Sequence, residues 1–130
     1  MAERSQDWLK QAERDLENAR WEQKGGFHEW ACFVAQQAAE KAIKALYEKL
    51  GGEAWGHSLF NLLKGLEEKL EIPKEIMKAG KFLDRFYVPA RYPNGWQAGI
   101  PADYYSEEDS KNAIDSAEKI LRFCKSILAQ

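Results

Sequence analysis

The residue types best suited to bind a phosphate lie in one unusual segment, residues 88–105, which holds three of the four prolines in the chain. Arg91 stands between Pro89 and Pro93, so its backbone is restrained. A guanidinium on a restrained loop can bind a phosphate through two parallel hydrogen bonds. Tyr92 and Trp96 follow, and such aromatic rings stack on nucleic-acid bases. The segment therefore predicts a phosphate-binding and base-binding site at Arg91.

The alternative for Arg91 is purely structural. An acidic side chain elsewhere, at Asp15, Glu40 or Asp84, would pair with the guanidinium and hold the segment against the rest of the chain. A connection of this length is usually functional or disordered, and its aromatic residues argue against disorder. The two interpretations predict different effects of removing Arg91. The first predicts a loss of ligand binding, and the second predicts a loss of stability.

His57 is the candidate for proton transfer, because imidazole gains and loses a proton near physiological pH. It precedes Ser58, where a helix is predicted to begin, and a histidine there more often bonds a backbone or carboxylate partner. The other histidine, His28, lies beside Trp30 at another predicted helix start. Two histidines so far apart in the sequence do not suggest a metal site, and we expect neither a metal nor a cofactor.

Two further sets of cations are candidates for ligand binding. Lys41 belongs to the long helix described below, and a basic row on a later helix comprises Lys74, Lys78, Lys81 and Arg85. Such a row is usually a solvated face. Yet residues 74–91 carry five positive and two negative charges, whereas residues 103–118 carry six negative and one positive. This polarity predicts that nucleic acid, or an acidic partner, would bind on the side of the basic row.

Composition limits the classes of protein to consider. The chain has 130 residues, of which 45% are hydrophobic, and this length predicts one domain over residues 1–130. Its net charge of −2 gives it no general basic character. Cys32 and Cys124 lie in predicted helices without metal-type spacing and are expected to be buried free thiols. No apolar run approaches the roughly 20 residues that span a bilayer, and the first residues lack a secretory signal. We therefore expect no membrane association and a cytoplasmic protein.

The element expected to position these residues is a long helix over residues 27–50. No glycine or proline interrupts it, and it is rich in alanine, glutamate, lysine and glutamine, which are strong helix formers. Its many alanines allow neighbouring helices to come close, which indicates a central position. Gln36, Glu40 and Lys44 are spaced by four residues and predict a separate polar row. We expect this row to hold Arg91 through Glu40.

Apolar residues at helical spacing predict four more helices. They run from an N-cap at Ser5 to Gly25, from Ser58 to about Leu70, from about Lys74 to Tyr87, and from a capping box at Ser106 to the end of the chain. The sequence thus predicts an all-α fold, an antiparallel up-down bundle of about five helices, four of them long.

Four blocks of sequence, in this order along nearly the whole chain, resemble the HEPN family. They are Asp15-Leu16 with Ala19, Phe33 with the run Gln36-Gln37-Ala38-Ala39-Glu40-Lys41-Ala42, Gly56-His57-Ser58-Leu59, and Tyr87 with Arg91-Tyr92-Pro93. The resemblance implies an HEPN-like helical bundle that is usually dimeric and is implicated in nucleotide or RNA binding. It also implies a possible partner, because many members bind a minimal nucleotidyltransferase encoded beside them.

Some proteins of this family are metal-independent ribonucleases of toxin–antitoxin systems, and these carry an arginine followed four to six residues later by a histidine. The present chain departs from that pattern. Gly95, Trp96 and Gln97 occupy those positions after Arg91, and both histidines precede Arg91 in the sequence. This departure weakens the argument for nuclease activity that the resemblance provides.

We therefore expect a homodimeric binding module rather than an enzyme. It would bind nucleotide or RNA through Arg91, Tyr92, Trp96, Lys41 and Arg85, or dock a nucleotidyltransferase. One alternative is a metal-independent endoribonuclease with an atypical catalytic pair, Arg91 and His57. The other is a structural interaction module without a ligand.

Overall fold

The helices follow the apolar spacing of the sequence. The computed structural model describes residues 3–130, and within this range it contains five α-helices and no β-strand. They are α1 (Ser5–Lys24), α2 (His28–Leu50), α3 (Leu59–Leu66), α4 (Lys74–Leu83) and α5 (Glu107–Leu128). The predicted all-α fold with five helices is confirmed.

The central helix is α2, because small and apolar side chains cover most of its circumference. It packs against α1 and α5, which also contact each other. Its buried alanines allow these close approaches; they are Ala31, Ala35, Ala38, Ala39, Ala42 and Ala45. Ile43 and Leu46 are also fully buried and supply the bulk between the helices. The predicted central position of this helix is confirmed.

The two middle helices are shorter than predicted. Helix α4 ends at Leu83, and a three-residue 3-10 turn, Asp84–Phe86, continues the chain to Tyr87. Helix α3 ends at Leu66. Three helices, α1, α2 and α5, are therefore long, where four were expected.

Three serines were predicted to cap the starts of helices, and two of them do so. Ser58 caps α3, and Ser106 caps α5 in a capping box with Asp109, as predicted. The prediction for α1 was wrong by one residue. Arg4 takes the N-cap position, and Ser5 is the first helical residue, with its side chain buried.

Aromatic contacts within residues 88–105 define the shape of this segment. The Trp96 ring stacks on Tyr104 with 3.9 Å between centroids, and its indole N–H donates to the Pro89 carbonyl at 2.9 Å. The Tyr104 hydroxyl donates to the Ala98 carbonyl at 2.5 Å. These bonds close the segment on itself and fix the position of its first residues, which include Arg91.

The two cysteines are buried free thiols, as predicted. Burial raises the pKa of Cys32 to about 12, and the nearby carboxylates of Asp109 and Glu29 add to the effect. Burial also raises the pKa of Cys124. Both thiols are therefore protonated and unreactive at neutral pH. Separately, none of the helices between residues 3 and 130 has the length and apolar character to cross a membrane.

Candidate functional site

Tyr87 joins His57 and Arg91, which lie far apart in the sequence. The His57 ring stacks on the Tyr87 ring, with centroids 4.6 Å apart and planes inclined by 16°. The Cζ atom of Arg91 lies 4.7 Å from the centroid of the same ring. Tyr87 directly follows the 3-10 turn after α4, and His57 lies in the loop before α3. The structure thus places both predicted residues in contact with the ring of Tyr87.

Aromatic rings surround the Arg91 guanidinium. Its Cζ atom lies 4.5 Å from the Phe33 centroid and 4.9 Å from the Tyr92 centroid. Its Nε donates to the Tyr87 carbonyl at 2.9 Å, and no other side-chain nitrogen of Arg91 donates a hydrogen bond within residues 3–130. The rings and the carbonyl orient the guanidinium while its terminal nitrogens keep their donors for a ligand.

The three acidic side chains considered as partners of Arg91 are engaged elsewhere, and within residues 3–130 none of them forms an ion pair with it. Asp15 forms an ion pair with Lys41 and ties α1 to α2. Asp84 accepts hydrogen bonds from the start of α3. Glu40 binds His57 and Lys44. Lys41, a predicted ligand-binding residue, therefore has its ammonium group occupied by a structural ion pair.

A buried polar network links α2 to His57. The His57 Nδ1 lies 3.1 and 3.2 Å from the two carboxylate oxygens of Glu40, whose side chain is 7% exposed. Lys44 donates to Glu40 at 3.0 Å. Gln36 donates to Glu40 at 3.3 Å and to the His57 carbonyl at 3.2 Å. The polar row of α2 therefore holds His57, whereas the sequence had suggested Arg91.

One exposed aromatic ring, that of Tyr92, borders the guanidinium, and a second, that of Trp30, packs against Phe33. Tyr92 is 48% exposed, in agreement with its predicted access to a ligand. Trp30, which the sequence did not suggest as a ligand contact, is 43% exposed and packs edge-on against Phe33 at 6.2 Å. Tyr104 covers one face of the Trp96 ring, and base stacking on Trp96 stays a prediction.

The remaining predicted residues have ordinary surroundings. The four cations of the basic row are exposed to solvent, and the guanidinium of one of them, Arg85, lies 5.3 Å from the Phe82 centroid. His28 bonds Ser110 through Nδ1 at 2.9 Å and thus connects the starts of α2 and α5. Within residues 3–130 the structure has no cluster of three His, Cys, Asp or Glu side chains that could hold a metal ion.

A shallow cleft of about 270 Å³ lies beside His57 and Tyr87. Its other lining residues are Ser58, Asp84, Val88 and Pro89. This volume is at or below the lower end of the range for small-molecule pockets, about 300–1,000 Å³. The geometry therefore favours a ligand that lies across an open surface over one that is enclosed.

The helical bundle has counterparts among known proteins. The model of the HEPN domain matches residues 5–127, and the chain belongs to the HEPN family. The resemblance inferred from the four sequence blocks is thereby confirmed.

Three solved structures agree closely with the fold. TT1696 from Thermus thermophilus is 42% identical with a TM-score of 0.93, over 96% of this chain and 98% of that one. The archaeal HEPN homologue ST0689 is 44% identical with a TM-score of 0.82, over 96% and 98%. An HEPN domain protein from Thermotoga maritima is 37% identical with a TM-score of 0.79, over 95% and 98%.

A more distant relative has a name that bears on function. MJ1304 of Methanocaldococcus jannaschii is named as a candidate toxin. It is 25% identical to this chain over 146 aligned positions, which cover 95% of this chain and 87% of that protein.

Proposed function

We propose that this protein is an RNA-binding or nucleotide-binding module of the toxin–antitoxin type, with Arg91 as its phosphate contact. The observation that carries the proposal is the meeting of Arg91 and His57 on the ring of Tyr87. Two side chains able to bind an anion or a hydroxyl group thus contact one ring, and the exposed ring of Tyr92 lies beside Arg91. Similarity to the candidate toxin MJ1304 supports the toxin–antitoxin setting.

The surroundings of Arg91 suit a nucleic-acid ligand better than a small free anion. Rings hold the guanidinium against the protein, so little of its freedom remains to be lost when it binds phosphate. The exposed rings of Tyr92 and Trp30 are available for base stacking, which is a common mode of binding unpaired bases. The shallow cleft also fits a ligand that lies along the surface.

Replacing Arg91 with alanine is expected to weaken binding of a single-stranded RNA oligonucleotide by about 10- to 150-fold, because hydrogen bonds to charged groups contribute about 1.5–3 kcal/mol. Arg91→Lys should weaken binding less than Arg91→Ala, since it keeps the charge and loses the two-pronged contact. Fluorescence anisotropy gives the affinities, and urea denaturation gives the stability of each variant.

The matched control for this experiment is Arg14→Ala, which removes an equally charged, exposed side chain from α1. It should leave the affinity nearly unchanged. If Arg91→Ala stays folded and binds RNA as well as the wild type, Arg91 is not the phosphate contact. If it loses stability but not affinity, the structural interpretation of Arg91 is correct.

A second candidate function is a metal-independent ribonuclease, and the contact between His57 and Glu40 specifically favours it. An oriented imidazole could accept the proton of a ribose 2′-hydroxyl as the 2′-oxygen attacks the adjacent phosphorus. The bond from phosphorus to the 5′-oxygen would break, and that oxygen would take up a proton from water. The products would be a 2′,3′-cyclic phosphate and a 5′-hydroxyl, with Arg91 stabilising the charge on the phosphoryl oxygens.

Incubation of RNA with the protein in excess EDTA distinguishes the two candidates. A nuclease should form cyclic-phosphate ends in EDTA and lose this activity in His57→Ala, as read by gel electrophoresis and mass spectrometry. If the RNA stays intact after prolonged incubation and still binds the protein, the nuclease proposal is wrong and the binding module is the function that remains.

We propose further that the protein forms a homodimer and pairs with a nucleotidyltransferase, as its family membership suggests. Light scattering of the purified protein should give twice the mass of the chain, which is 15.0 kDa. Co-expression with the product of the adjacent gene should give a complex that survives purification. A monomer that recovers no such partner would contradict this part of the proposal.

A further inference from the structure

We propose that the basic row on α4 is a second nucleic-acid contact, which binds the phosphate backbone of a strand without regard to base or sugar. The row comprises Lys74, Lys78, Lys81 and Arg85. The inference rests on the proposed function in taking a nucleic acid as the ligand, but it assigns a surface that does not include Arg91. The two proposals can therefore fail separately.

The basic row follows the outward side of α4. The buried residues of this helix lie on its other side; they are Ile76, Ala79, Gly80 and Leu83. At about 100° per residue, the three lysines fall within an arc of about 60° opposite the buried residues. Arg85 extends the line in the 3-10 turn that follows, and all four side chains are exposed. With a rise of about 1.5 Å per residue, the row forms a line of positive charge about 16 Å long.

The charge of the basic row is not neutralised by the protein. Within residues 3–130 none of its four cations forms an ion pair. Two acidic residues lie in the same stretch, Glu75 and Asp84. The Asp84 carboxylate is engaged by the backbone N–H groups at the start of α3. The row therefore keeps most of its positive charge for a ligand.

Aromatic rings hold two cations of the row in place. The Lys81 Nζ lies 5.8 Å from the centroid of Phe60, and the Lys64 Nζ lies 5.9 Å from the same centroid. The Arg85 Cζ lies 5.3 Å from the Phe82 centroid. Such contacts restrict long side chains, which lowers the entropy that they lose when they bind an anion. Because these rings hold the protein's own cations, the surface offers charge for phosphates rather than rings for bases.

The same surface lacks the features of a protein-binding site. Protein interfaces have an apolar core and are depleted in lysine. Within residues 3–130 the large apolar side chains that are exposed all lie outside α3 and α4. A nucleic-acid backbone needs no apolar contact, since neutralisation of phosphates and release of counterions supply the affinity. The observations therefore favour a nucleic acid over an acidic protein. Phosphate contacts carry no sequence information, so we expect no base preference from the row.

The test measures binding at a series of salt concentrations by fluorescence anisotropy, with single-stranded RNA and DNA probes of the same sequence. The row variant carries Lys74→Gln, Lys78→Gln, Lys81→Gln and Arg85→Gln. Each lost phosphate contact should lower the slope of log Kd against log salt concentration by about 0.7, and loss of all four by about 2.8. An increase from about 50 to about 200 mM salt should therefore weaken the wild type about 50-fold more than the row variant, with either probe.

The matched control replaces four exposed lysines of α1, α2 and α5, so that it has the same net charge as the row variant. It carries Lys10→Gln, Lys49→Gln, Lys111→Gln and Lys119→Gln. The control should keep the slope of the wild type, because these lysines lie outside the row. Circular dichroism shows whether each variant is folded.

A smaller variant keeps the proposal testable if the row variant does not fold. Lys74→Gln together with Lys78→Gln leaves the cations over Phe60 and Phe82 in place. This pair of changes should lower the slope by about 1.4 with both probes. An unchanged slope in this folded variant would contradict the proposal.

Equal slopes for the wild type and the row variant, with weaker binding by Arg91→Ala, would overturn this inference and leave the proposed function standing. Equal losses of slope in the row variant and the control would also overturn it, because net charge alone would explain them. A lower slope in the row variant, with normal binding by Arg91→Ala, would support the row and contradict Arg91 as the phosphate contact. Absence of binding to both probes would overturn both proposals.

Fluorescent poly-L-glutamate serves as the probe for an acidic protein surface. The wild type should bind it more weakly than either nucleic acid at the same salt concentration. If the wild type binds it as tightly as RNA, and the row variant does not bind it, the row is a site for an acidic protein and the inference is wrong.

Discussion

Replacing Asp84 with alanine is expected to lower the free energy of unfolding by about 2–4 kcal/mol, because the change leaves backbone donors unpaired in a partly buried place. The Asp84 carboxylate accepts from the backbone N–H groups of Leu59 and Phe60, at 2.6 and 3.2 Å, and from the Ser58 hydroxyl at 3.0 Å. One side chain after α4 thus satisfies donors at the start of α3 and places a negative charge at its positive end.

The measurement is urea denaturation followed by circular dichroism. Asp84→Asn keeps one oxygen acceptor without the charge and should lose about half as much stability as Asp84→Ala. Asp115→Ala removes an exposed carboxylate from α5 and should change stability by less than about 0.5 kcal/mol. A loss in Asp84→Ala no larger than that of Asp115→Ala would show that water replaces the carboxylate at the start of α3.

The role of Asp84 also illustrates which parts of the fold the sequence could predict. Helix positions and the caps at Ser58 and Ser106 depend on residues close in the chain, so periodicity and local polar residues indicate them. The bond from Leu59 to Asp84 spans 25 residues. No local pattern records such a contact, and Asp84 was considered only as a partner for Arg91.

The same distinction applies to the candidate site, where some residues could be predicted from the sequence and others could not. Arg91, Tyr92 and His57 could be selected from residue type and from their place in loops or at helix starts. The contact between His57 and Glu40 could not, because spacing by four residues indicates only neighbours on the same helix, such as Lys44. Trp30 was considered only as a neighbour of His28, although its contact with Phe33, three residues later in α2, is one that helical spacing indicates.

These contacts also assign roles to the most recognisable stretch of the chain, residues 36–44. Gln36 and Glu40 hold His57, and Lys41 ties α2 to α1 through Asp15. The alanines between them are buried against the neighbouring helices. One stretch of α2 therefore contributes both to core packing and to the candidate site. Substitutions at different residues of this stretch can test the two roles separately.

Replacing Ala39 with leucine should separate packing from binding. Ala39 is fully buried in α2 between α1 and α5. Because these helices approach closely over alanines, the extra atoms of leucine must displace them. Overpacking of this kind costs about 1–3 kcal/mol of unfolding free energy. Ala102→Leu adds the same atoms at an exposed position and should leave stability nearly unchanged.

The binding behaviour of Ala39→Leu completes the argument. Where the variant remains folded, Arg91 and His57 keep their positions on Tyr87, and RNA affinity should stay within about threefold of the wild type, an ordinary size for a substitution outside a site. Arg91→Ala should show the opposite, with a large loss of affinity and a small loss of stability. If Ala39→Leu abolished binding while Arg91→Ala only destabilised the protein, α2 would form the binding surface, and the segment that carries Arg91 would be part of the scaffold.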